Sequence, residues 1–102
     1  MLLRALTVRL VVLSQGLPPR AQPGVSEETA QRMWVDRQAL QGELTRLSSN
    51  SVQVIAEQSG HAVPRDQPQL VVDATLEVVR AVRQGRRVER EQVLAGAARA
   101  RP

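Results

Sequence analysis

The run Val8-Arg9-Leu10-Val11-Val12-Leu13 constrains this chain more than any other feature. All but one of its residues are apolar, and Ser14-Gln15-Gly16 followed by Pro18-Pro19 ends it abruptly. A short, continuously apolar run closed by turn residues predicts a strand covered on both faces, as in a parallel sheet. Parallel neighbours cannot be joined by a tight turn and need a long crossover, usually a helix. The sequence supplies one. Residues 16–25 hold three Pro and two Gly and read as a loop. Ser26-Glu27-Glu28-Thr29 then gives an N-cap hydroxyl followed by acids at the positive end of a helix dipole. Met33, Leu40, Leu44 and Leu47 recur at helical spacing with Arg37 on the same stripe, and Arg32, Asp36, Glu43 and Arg46 fall largely opposite. The pattern predicts a helix over 27–48 with that apolar stripe turned inward and Trp34 as a packing anchor.

Ser48-Ser49-Asn50-Ser51 is expected to close the helix, and residues 52–56 (VQVIA) form the second strand candidate. Past Pro64 and Pro68, residues 70–83 carry Leu70, Val71, Ala74, Val78, Ala81 and Val82 on one broad face. Asp66 is expected to cap this second helix, with Pro68 in its first turn, where a missing N–H costs nothing. The order is strand-helix-strand-helix, an α/β chain with parallel strands. Residues 84–102 are expected to be a flexible basic tail, disordered or weakly helical, so the organised part is 1–83.

Composition narrows the chemistry. The chain has no Cys and one His, which excludes a disulfide, a thiolate nucleophile and a Cys-based zinc site; no metal and no cofactor are expected. Trp34 is the single aromatic residue, so any core is aliphatic. The net charge of +4 is local: residues 80–102 carry seven Arg against two Glu, which leaves residues 1–79 at −1. Every cation is Arg, as a GC-rich coding sequence would produce. Without stacking aromatics or a reading helix, the charge does not point to nucleic acid. Glu27-Glu28 and Glu89 with Glu91 read as solvated pairs rather than acid/base dyads. Arg9 breaks the apolar run of residues 1–13, which argues against both a signal peptide and a membrane span, so a cytoplasmic setting is expected.

One stretch carries chemistry. Ser51 to His61 (SVQVIAEQSGH), followed by Asp66-Gln67-Pro68-Gln69-Leu70, resembles the end of an α/β-hydrolase, where the last strand enters a Gly-His turn and a D-x-P segment opens the final helix. The resemblance covers residues 6–83, so the expected fold is a partial α/β-hydrolase sheet. It implies that His61 is the catalytic histidine, a general base for ester-type hydrolysis by a hydroxyl or carboxylate nucleophile. The residues make physical sense of that role. Ligands of open parallel sheets bind beyond the C-terminal strand ends, and a neutral imidazole there can take a proton from a nucleophile. The rest of such a site is missing. No G-x-S-x-G elbow and no HGGG-type segment occurs, and Gly16-Leu17-Pro18-Pro19 holds no carboxylate where many relatives carry the acid. Ser14 and Ser59 are the remaining nucleophile candidates, and Asp66 and Glu57 the remaining acids. The expectation is a chain inactive alone, with a small-molecule substrate only as part of a complete hydrolase. The alternative is a non-enzymatic protein that binds itself or another protein through its sheet edge and apolar helix faces.

Overall fold

The computed structural model describes residues 6–100. Strand β1 (Leu6–Gln15) and strand β2 (Ser48–Ala56) form a parallel pair, in register from Arg9↔Asn50 to Gln15↔Ala56, and helix α1 (Glu27–Glu43) crosses between them. A 3-10 turn, Leu44–Leu47, links α1 to β2; the four-residue helix α2 (Val63–Asp66), α3 (Pro68–Gln84) and α4 (Arg90–Ala100) follow. The strand-helix-strand-helix order and the parallel pairing are those read from the sequence.

The core lies on one face of the sheet. Val54, Ala56, Val63, Leu70, Ala74 and Val93 are buried together, with Val11 and Leu13 packed against them. The opposite face meets α1, and there the sequence reading fails. No residue of α1 is buried; Met33 is 62% and Leu40 63% exposed. The helix instead turns amides to the sheet: the Gln38 Nε2 donates to the Gln15 carbonyl at 2.8 Å, and the Ser14 hydroxyl donates to the Gln41 Oε1 at 3.5 Å. Leu44 and Leu47 are exposed as well, so the Met33–Leu40–Leu44–Leu47 stripe faces outward.

Four other expectations are corrected. Residues 48–51 belong to β2, and the Ser48 and Ser51 hydroxyls serve strand and turn backbone: Ser48 Oγ donates to the Val8 carbonyl and Ser51 Oγ to the Thr45 carbonyl at 2.6 Å. The inward face of α3 comprises Leu70, Asp73, Ala74, Glu77 and Ala81, while Val82 is 56% exposed. Asp66 does not cap α3; Gln67 holds that position without a side-chain bond to the helix, and Pro68 begins it. Finally, the segment expected to be a disordered or weakly helical tail is helical over Arg90–Ala100 and packed, and Arg101 and Pro102 lie outside the described residues. Gly85 ends α3 in the left-handed conformation (φ 63°), which costs glycine little. Val88 and Val93 are buried, and α4 packs on α3 and β2.

Three arginines of that segment are tied to named partners. Arg86 makes a two-pronged ion pair with buried Glu77, at 2.6 Å from Nη1 and 2.9 Å from Nη2, and its carbonyl accepts from Arg9 Nε at 2.8 Å. Arg87 donates to the Ser49 carbonyl and Arg90 to the Gln53 carbonyl, at 2.6 and 2.7 Å. The radius of gyration is 15.6 Å, against about 13 Å for a compact domain of this length. A two-stranded sheet is too narrow to gather the helices around one centre. Among the described residues no helix is long and apolar enough to cross a membrane. Of residues 1–13, those before Leu6 lie outside the described residues.

Candidate active site

His61 stands where β2 ends, at the C-terminal rim of the parallel pair. Both strand ends are joined there. The Gly16 N–H is shared between the carbonyls of Ala56 (3.0 Å) and Ser59 (3.2 Å), and the Leu17 N–H donates to the Ser59 carbonyl at 2.9 Å. This closeness requires glycine: a Cβ on Gly16 would lie 2.5 Å from the Ala56 oxygen and 2.6 Å from the Glu57 Cα. The turn itself is held by side chains from the next segment. Asp66 Oδ2 accepts the Gly60 N–H at 2.9 Å, and Gln67 Oε1 accepts the Gln58 N–H at 2.9 Å. The Gly60 N–H, with smaller help from Arg65, holds the Asp66 carboxyl below its ordinary range. Asp66-Gln67 thus pins the histidine turn rather than capping α3. A turn whose backbone groups are this fully occupied can present one side chain in a fixed place.

The imidazole is exposed, and its described partner is a cation. Arg37 Nη2 lies 3.0 Å from His61 Nδ1. A guanidinium can only donate, so Nδ1 must be the lone-pair nitrogen and Nε2 carries the proton of the neutral ring. A catalytic triad needs the opposite tautomer, with Nδ1–H directed at a carboxylate and the Nε2 lone pair at the nucleophile. In the present arrangement His61 therefore offers a hydrogen-bond donor outward.

The serines do not supply the nucleophile here. Ser14 is 1% exposed, with its Oγ between the Gln41 and Gln53 side chains, and Ser59 is fully buried with its Oγ donating to the Gly60 carbonyl. Asp66 is committed to Gly60, and no described hydrogen bond joins Glu57 to the ring. Among the described residues no group of three His, Asp or Glu side chains could hold a metal ion.

His61, Arg37, Trp34, Gln15 and Leu13 border a small pocket of about 130 Å³. Trp34 and Arg37 also line a larger, more apolar hollow of about 410 Å³, bounded by Pro19, Val25, Met33 and Leu40. Trp34, expected to be a packing anchor, is half-buried and forms the wall between the two. The sequence singles out His61 but gives no sign of Arg37 as its neighbour. The two are 24 residues apart, and nothing local to either one signals the contact. No protein-family model, curated protein or solved structure matches the chain.

Proposed function

We propose that this chain is the histidine-bearing end of an α/β-hydrolase-type sheet, inactive by itself, in which His61 acts as general base once a nucleophile and an acid join it. The observation that carries this reading is the pinned turn: Gly16, Asp66 and Gln67 occupy the backbone around an exposed imidazole at the strand ends. Such rims are where open parallel sheets bind ligands, and the neighbouring hollow of about 410 Å³ is of the size that takes a small apolar substrate. In the complete site a hydroxyl or carboxylate nucleophile attacks an ester-type carbonyl. A hydroxyl nucleophile gives its proton to His61 Nε2, the imidazolium passes it to the leaving group, and a water deprotonated by His61 then cleaves the acyl group from the nucleophile, whose oxygen takes that proton back. The acid partner replaces Arg37 at Nδ1 and sets the required tautomer. A cytoplasmic setting goes with this reading.

Two observations favour a second reading, a non-enzymatic protein that binds a partner: the apolar residues of α1 face outward, and β1 has a neighbour on one side only among the described residues. The reading frame immediately upstream of the Met1 codon separates the two. The hydrolase reading expects further strand-helix units there in frame, including a nucleophile elbow. A frame without them refutes it. The 102-residue chain alone should give no ester turnover that His61→Ala abolishes.

A further inference from the structure

The two edges of the sheet are not alike. Gly16 N–H donates to Ala56 O and Ser48 Oγ donates to Val8 O, so even-numbered positions of β1 direct their backbone groups toward β2. Strand alternation then turns the N–H and C=O groups of Arg9, Val11 and Leu13 to the outer side. No strand of the described residues pairs with them. The next outward carbonyl, that of Gln15, is already taken by Gln38. On the far side of β2 the outward carbonyls of Ser49 and Gln53 accept from Arg87 and Arg90, so that edge is closed to another strand.

We propose that a second copy of this chain pairs antiparallel along the outer edge of β1, with the two-fold axis at Val11. An edge of bare amides and carbonyls selects an extended strand, whatever its side chains. The closed β2 edge selects a second copy: the order β2-β1-β1-β2 ends in an arginine-capped edge on both sides, so the assembly stops at two chains and leaves no strand open. Charge fixes the direction. Antiparallel pairing about Val11 sets Arg9 opposite Leu13 of the second copy, with the two arginines about 13 Å apart along the strands. Parallel, in-register pairing would stack Arg9 on Arg9 and is disfavoured. The dyad also brings together Leu10, Val11 and Leu13 of both copies, which are only half-buried in one chain.

This pairing is that of the 102-residue chain alone: in a complete hydrolase sheet an upstream strand would take the same edge of β1, so the two readings compete for it. The absence of native Cys allows a direct test on the 102-residue chain. Single variants Val8→Cys, Val11→Cys and Leu13→Cys are oxidised under mild conditions, and the mass in solution is followed against concentration. Across a hydrogen-bonded antiparallel pair the Val11 Cα atoms lie about 5.5 Å apart, within disulfide reach, whereas the two Leu13 positions do not meet. The expected result is a two-chain mass and fastest cross-linking at Val11→Cys. Val11→Pro removes one outward N–H without touching the β1–β2 ladder and should give a single-chain mass. If that variant does not fold, the cross-linking order still decides. A single-chain mass of the native sequence at every concentration overturns the proposal, as does cross-linking fastest away from Val11. Either result leaves the His61 reading to be decided by the upstream frame.

Discussion

Replacing Glu77 tests how the chain holds its C-terminal third. Glu77 is 2% exposed and accepts three charge-assisted bonds: two from Arg86 and one from the Glu89 N–H at 2.8 Å. Arg86 also carries the backbone carbonyl that accepts from Arg9, so one residue links α3, β1 and the approach to α4. Removing one partner of a buried ion pair typically costs about 3–5 kcal/mol. The Arg86 side chain is 26% exposed and can recover some hydration, which puts Glu77→Gln near the lower end, about 3 kcal/mol. A domain of this size has roughly 5–15 kcal/mol in total, so the loss is large. It should lower the melting temperature by on the order of 15 °C in a circular-dichroism melt at pH 7. Arg86 first, then the Glu89 N–H and Arg80, holds the Glu77 carboxyl below its ordinary value of 4.5. A depressed folded-state pKa means the unfolded chain binds more protons, so this stability is complete above pH 4.5 and fades as pH falls through the folded-state value. The gap between the native chain and Glu77→Gln should therefore narrow in acid. A variant that melts within a degree or two of the native chain at pH 7, with a gap that does not narrow on acidification, would refute the reasoning.

Two glycine substitutions probe the packing directly. Gly16→Ala drives a Cβ into the Ala56 and Glu57 backbone, which cannot turn aside, and should cost about 2–3 kcal/mol in urea unfolding while freeing the Gly60 amide to hydrogen exchange. An unchanged midpoint and unchanged exchange would mean that the strand ends are not joined as described. Gly96→Ala gains about 1 kcal/mol of helix propensity in α4, yet its Cβ would stand 2.8 Å from the buried Asp73 Cγ, so a net loss of about 1 kcal/mol is expected. Among the described residues Asp73 Oδ2 has no hydrogen-bond partner, and Oδ1 accepts from Gln69 Nε2 at 3.0 Å, so adding Asp73→Ala should remove the clash for the loss of that one bond and leave the double variant above Gly96→Ala. A double variant no more stable than Gly96→Ala would show that Asp73 is not the obstacle.

The local signals decided the topology. A β-branched run too short for a helix, a crossover opened by Ser26 and its two acids, and a second run ending at Gly60-His61 dictate two parallel strands with a helix between them. The same signals put His61 at the rim, because a strand's end follows from where its apolar run stops. Tertiary structure decided what each face and each charge does. The apolar stripe of α1 needs a partner layer to bury it; a two-stranded sheet is too narrow to provide one, so Gln38 and Gln41 face the strands and Met33 and Leu40 face outward. Arg86, Arg87 and Arg90 read as a basic tail because their partners Glu77, Ser49 and Gln53 lie 9 to 38 residues away. Arg37 reached His61 by the same kind of distant contact. An arginine reads the same in sequence whether its charge is solvated, paired with a buried carboxylate or laid on a strand's open carbonyls. Only the fold brings the acceptor to it, and the acceptor decides its role.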